Sequence, residues 1–162
     1  MTFNHTFHQH LTLQSLEYDT IGLKKSYIDI CDGDLISGLL LSQIVYWHTP
    51  SRGSDKTKLT IFKDGRYWLA KSRHDWFAEI RITEKQYDRA IKKLTELGIV
   101  QVELSVFNNM ATPHIAIQEE KFMQLYNDFL NREDVILVSK TRLGNQKRYE
   151  EKKLKEAMEA EK

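Results

Sequence analysis

Five long polar side chains, Lys85, Gln86, Arg89, Lys92 and Lys93, recur within a stretch whose apolar residues follow the helical period. At about 100° per residue, with Lys85 set to zero, Leu97, Ala90, Leu94, Tyr87 and Ile91 fall between roughly 120° and 240°. The five polar residues fall between roughly −20° and 100°, so one face packs and the other is left for a partner. Arg and Lys on such a face can pair with guanine O6 and N7, and Gln with adenine. Lys85, Gln86, Arg89 and Lys93 are therefore candidate base readers. A solvated face of an ordinary amphipathic helix has the same pattern, so the neighbouring elements must decide.

Those elements are legible. Thr83 predicts an N-cap with Gln86 completing a capping box, and Gly98 marks the far end of the helix. Upstream, a helix over Arg73 to Glu79 is expected, with Ser72 as N-cap and Asp75 three residues on. Only Ile80-Arg81-Ile82 separates the two, which is the spacing of a helix-turn-helix. Downstream, Ile99 to Val106 alternates as a strand, Phe107 to Pro113 reads as a loop, and His114 to Ile117 reads as a second strand. Before all of these, Asp34 to Trp47 reads as a buried helix. Leu59 to Phe62 and Tyr67 to Leu69 read as a hairpin around Asp64-Gly65. The order helix, turn, helix, hairpin is that of a winged helix.

On this framework, Ser72, Arg73, Thr83 and Lys92 sit at helix starts or edges, where hydroxyls and cations meet phosphate and set register. The wing tip has no Lys or Arg and offers Asn108, Asn109 and Thr112 to the backbone. Lys56, Lys58, Lys63 and Arg66 supply further phosphate candidates if the earlier loop and hairpin fold onto the same side.

Three stretches carry a family resemblance: Gly38-Leu39-Leu40-Leu41-Ser42-Gln43-Ile44-Val45-Tyr46-Trp47; Tyr67-Trp68-Leu69-Ala70 leading into Trp76; and Ala90-Ile91-Lys92-Lys93-Leu94-Thr95-Glu96-Leu97-Gly98-Ile99-Val100. Together the region from about 30 to 120 resembles the N-terminal winged-helix domain of phage and plasmid replication initiators, the replisome-organiser and DnaD-like group. The resemblance implies binding of duplex DNA at an origin and recruitment of helicase-loading proteins, without catalysis. The Lys-Lys-Leu and Leu-Gly-Ile-Val pattern is shared with winged-helix transcription regulators. Fold likeness alone does not fix function, so a regulator and a protein-interaction module of the replisome stand as alternatives.

Bulk composition adds little until it is cut into segments. The 162 residues hold 24 Lys plus Arg against 23 Asp plus Glu, a net of +1, which excludes an acidic disordered chain and a polycation. Residues 52–93 hold 12 basic and 6 acidic groups, whereas 1–51 hold 2 and 5, and 94–138 hold 2 and 7. Neutrality is thus a cancellation between a basic middle and acidic flanks, the asymmetry of a surface that meets a polyanion. Cys31 is the single cysteine, so no intramolecular disulfide is available. The N-terminus lacks the charge and apolar run of a signal peptide, and Leu35 to Trp47 is too short to span a bilayer, so a cytoplasmic protein is expected.

Other constellations have plainer explanations. His5, His8 and His10 have a spacing that invites a metal or a nickase, but Gln9 stands where a hydrophobe belongs, and a flexible or edge-strand N-terminus is the expectation. Asp29, Asp32 and Asp34 lack the other ligands of a calcium loop and suit helix capping. Trp47, Trp68 and Trp76 lie in apolar runs and read as core. No phosphate loop, paired-cysteine pattern or serine elbow occurs, so neither an enzyme nor a cofactor is expected. Glu119 to Leu130 predicts a helix whose Phe122, Leu125, Tyr126 and Phe129 cover the core or, in a homodimer, meet its mate. Val135 to Val138 reads as a short strand, and Arg142 to Lys162 as an exposed helix or frayed tail. The expected fold is α+β, mainly helical: an arm at 1–30, a winged helix-turn-helix at 31–132 and a charged helical extension at 133–162.

Overall fold

Asp34 starts the helix on which the core is built. Its carboxylate accepts from the amides of Ile36 at 3.2 Å and Ser37 at 3.5 Å, and from the Ser37 hydroxyl at 2.8 Å. A computed structural model describes residues 2, 4–14, 19–132 and 140–161 of the chain. Its elements run α1 (Phe7–Gln14), α2 (Lys25–Ile30), α3 (Leu35–His48), β1 (Ile61–Lys63), β2 (Arg66–Ala70), α4 (Asp75–Ile80) and α5 (Glu84–Glu96). Then follow β3 (Val100–Phe107), β4 (Met110–Ile117), α6 (Glu119–Leu130) and α7 (Lys140–Ala160). The fold is α+β, with the four strands in one antiparallel sheet ordered β1-β2-β4-β3.

Along α3, Ser37, Gly38, Leu40, Leu41, Ser42 and Ile44 are buried. Gly38 permits the close crossing of α2, because a Cβ there would lie 2.8 Å from the Ile28 Cα. Ser42 ties the same crossing, donating to the Gly38 carbonyl at 2.8 Å and accepting from the Lys24 amide at 3.0 Å. On the other side of α2, the Tyr27 ring meets Phe122 and Tyr126 of α6 edge-on, at 5.6 and 6.2 Å. The packed body therefore takes in α2, which lies within the expected arm. The arm also holds α1, a helix in place of a flexible or strand-like N-terminus. Thr6 and Gln9 close its start by exchanging side-chain-to-amide bonds of 3.2 and 2.9 Å.

Trp76 is fully buried and Trp47 partly so, within the cluster of Leu40, Leu41, Ile44, Leu94, Ile99 and Ile115, while Trp68 is buried apart from that cluster, its indole donating to the Lys63 carbonyl at 3.0 Å. Phe122 and Phe129 of α6 close the core, with Leu125 and Tyr126 half-buried beside them.

The structure corrects two local expectations. The stretch Phe107 to Pro113 is strand apart from a two-residue turn, because Asn108 and Asn109 both take left-handed φ, 49° and 62°, as a tight hairpin turn requires. Pro113 is accommodated in β4 because its carbonyl faces β2, accepting from the Lys71 amide at 3.1 Å, so the missing N–H removes no bond to β3. Second, α4 begins at Asp75 rather than Arg73. The Asp75 carboxylate accepts from the Ser72 amide at 3.1 Å and closes a turn ahead of the helix, leaving Ser72 outside its cap. Val135 to Val138 lies outside the described residues, and α7 covers most of the expected charged tail.

Candidate nucleic-acid interface

The helix α5 is fixed at both ends by local bonds. Thr83 Oγ1 accepts from the Gln86 amide at 3.2 Å and Gln86 Oε1 accepts from the Thr83 amide at 2.8 Å, a complete capping box. Gly98, at φ 77°, ends the helix as its amide reaches Thr95 and the Ile99 amide reaches Leu94, both at 3.0 Å. Tyr87, Ala90 and Leu94 are buried, with Ile91 and Leu97 packed against the core, as the angular arithmetic requires.

Lys85, Arg89 and Lys92 project from the opposite face and are exposed. Lys85 and Arg89 stand one turn apart, and Lys92 lies 3.9 Å from Glu96 along its own helix. Lys93 is half-buried, its ammonium 3.5 Å from the Asp32 carboxylate. Burial alone raises the Asp34 carboxyl, but the Ser37 hydroxyl, the Ser37 and Ile36 amides and the Arg89 charge together hold it below its usual range. The turn between α2 and α3 thus places two carboxylates beside the C-terminal half of the cationic ridge. The capping expected of Asp32 and Asp34 holds for Asp34 alone; Asp32 sits in the turn at φ 57° and faces Lys93 instead.

Gln86 has a divided role. Its Oε1 belongs to the cap, which leaves the amide NH2 free and removes the acceptor that a bidentate adenine contact needs. Thr83 is likewise engaged, through both hydroxyl and amide.

The outlying cations are mostly committed within the fold. Arg73 grips Asp88 of α5 and lies 3.4 Å from Glu84. The Lys58 ammonium caps the end of α3, donating to the carbonyls of Tyr46, Thr49 and Pro50 at 3.0–3.1 Å and standing 4.4 Å above the Tyr46 ring. Lys63 pairs with Glu103 of β3 at 2.9 Å. Arg66 donates to Gln118 at 2.8 Å and to Gln101, with its guanidinium 4.7 Å from the Trp68 ring centre. Lys56 is exposed in the loop before β1, and Ser72 is half-buried ahead of α4. Asn108 and Asn109 are exposed at the hairpin tip, where their left-handed backbone forms the turn itself.

A half-buried polar cluster fixes how α4 meets α3. Glu79 accepts from Gln43, from the Trp47 indole and from Lys71, whose ammonium lies 5.0 Å from both the Trp47 and the Trp76 rings. Lys71 is therefore a structural cation within the basic segment. Arg81, in the left-handed position that ends α4, donates to the carbonyls of Phe77 and Ala78 at 2.8 and 3.1 Å and so holds the connection into α5.

No protein-family model, curated protein or solved structure matches the chain. Among the described residues, no group of three His, Cys, Asp or Glu is placed to hold a metal, and no helix is long and apolar enough to cross a membrane.

Proposed function

We propose that the chain is a cytoplasmic winged helix-turn-helix protein that binds double-stranded DNA sequence-specifically, with α5 in the major groove and the β3–β4 hairpin as its wing. The observation that carries this reading is the exposed ridge of Lys85, Arg89 and Lys92 on a helix whose opposite face is buried and whose ends are both capped. Lys85 and Arg89 are the base readers, with Lys93 at the edge of the groove beside Asp32. Lys92, Lys56, Asn108 and Asn109 meet phosphate. A role in starting phage or plasmid replication, with recruitment of helicase-loading proteins, rests on the resemblance of Gly38 to Trp47 and the segments after it.

One observation favours a second reading, a protein-interaction module. The outer hairpin exposes Leu104, Val106 and Met110 and carries no cation, a chemistry suited to a protein surface.

Selection from a random duplex library separates the two: a single enriched motif supports DNA reading by α5, and no enrichment over input contradicts it. A plasmid lacking its own initiator, given the selected site and its flanking origin, then replicates only when the chain is supplied. Binding without replication assigns the chain to transcriptional control.

A further inference from the structure

The strand β3 ends the sheet, and its outer edge, paired by no described strand, is self-complementary. Two bonds fix which of its residues face outward. Ile99 accepts from the Gln118 amide at 2.8 Å, so odd-numbered residues of the strand turn their backbone groups toward β4. Leu104 stands opposite Pro113, whose own carbonyl is turned to β2. The N–H and C=O of Val102, Leu104 and Val106 therefore point away from the sheet, and no described backbone group bonds them. The same three residues carry an apolar stripe continuous with buried Val100, and they are 37%, 72% and 73% exposed. Natural edges are blunted by Lys, Pro or bulges, and this one carries none. Its one charged residue, Glu103, is already paired with Lys63 on the sheet's own side.

The geometry points to a second copy of this chain as the occupant, paired antiparallel through β3 with Leu104 on the two-fold axis. In that register Leu104 meets Leu104 of the second copy, and Val102 meets Val106, each pair exchanging two backbone bonds. Opposite residues share a face in an antiparallel pair, so the two apolar stripes merge. Glu103 falls opposite Ser105, and no like charges meet. The two sheets become one of twice the strand number, and the β3 edges of both copies are paired. This pairing is independent of whether α5 binds DNA.

Sedimentation of the full chain across a concentration series tests it. The mass rises from 19.1 kDa toward twice that value, and Leu104→Lys holds it at the monomer. A second pair of variants reads the register. Residues in a hydrogen-bonded antiparallel pair have Cα atoms about 5.5 Å apart, within disulfide reach, so Leu104→Cys gives a covalent dimer on mild oxidation. Ser105 and its copy lie on the diagonal, roughly 7–8 Å apart, so Ser105→Cys does not. The native Cys31 is buried and does not compete. Leu104→Pro leaves every bond to β4 in place, because its N–H faces outward, and it too remains monomeric with an unchanged circular dichroism spectrum. A mass of 19.1 kDa at every concentration overturns the proposal, as does crosslinking of Ser105→Cys as fast as Leu104→Cys.

Discussion

The Arg73 guanidinium holds the Asp88 carboxylate with two bonds, Nε to Oδ1 at 2.8 Å and Nη2 to Oδ2 at 2.6 Å. This fork joins the approach to α4 to the outer face of α5, so the two helices of the proposed recognition unit are held by one ion pair as well as by packing. The pair spends a cation that the sequence offers to phosphate. Arg73→Ala is therefore expected to leave DNA affinity within about two-fold, well short of the roughly 1–3 kcal/mol that loss of a base-reading Arg costs. It lowers the thermal midpoint slightly at low salt and not at high salt, because exposed pairs are screened. A tenfold loss of binding in an anisotropy titration would return Arg73 to the interface.

Acid should remove this contribution in a defined direction. The Arg73 hydrogen bond outweighs desolvation and holds the Asp88 carboxyl below its usual range, so the pair's stabilisation is complete above the unfolded value, about 3.9. It is lost as pH falls through the lower folded value. Melting curves of the parent and of Asp88→Asn should differ at pH 7 and converge below that window. A difference that persists or grows in acid contradicts the assignment.

Asp32 stands against Lys93 at 3.5 Å and competes with any phosphate for that charge. Asp32→Asn should raise DNA affinity by about 2- to 5-fold at low ionic strength, a fraction of a Coulomb interaction at high dielectric, with the gain fading as salt screens it. Asn keeps the backbone, since Asp32 sits at φ 57°, a left-handed conformation that Asn tolerates. Unchanged or weaker binding at low salt would place Lys93 outside the contact.

Gly38→Ala is a stability test of the α2–α3 crossing. An exposed helical glycine gains roughly 1 kcal/mol on becoming alanine. Here the new methyl meets the Ile28 backbone at 2.8 Å, and overpacking costs about 1–3 kcal/mol. The expected result in denaturant unfolding is net destabilisation. A more stable variant would mean that α2 does not lie against α3 as described.

The fold was legible wherever a local signal set a boundary. Thr83, Gln86 and Gly98 delimit α5, and Asp64-Gly65 delimits the first hairpin, because caps and turns depend on neighbours a few residues away. Pro113 misleads for a converse reason: a proline reads as a strand breaker unless its missing N–H is known to face away from β3, level with Lys71 just past the end of β2. Helix α2 carries no side-chain cap and only six residues, so its place is set by Gly38 and Ser42 of α3 rather than by its own pattern. The candidate site was legible as a ridge and not as a charge balance. Periodicity finds Lys85, Arg89 and Lys92. Only the tertiary structure shows that Lys58, Lys63, Arg66 and Arg73 are held by partners 8 to 52 positions away.

The most direct test of DNA reading by α5 is a salt series of fluorescence anisotropy titrations with the full chain and a selected duplex. Log affinity should fall linearly with log salt, at about −0.9 per phosphate contacted. Lys85→Ala and Arg89→Ala should each cost about 1–3 kcal/mol and relax preference at one position. Lys92→Ala should weaken all duplexes alike and reduce the salt slope by about one. Binding that ignores salt, or a Lys85→Ala, Arg89→Ala double variant that binds as the parent does, would contradict the proposal that α5 reads DNA.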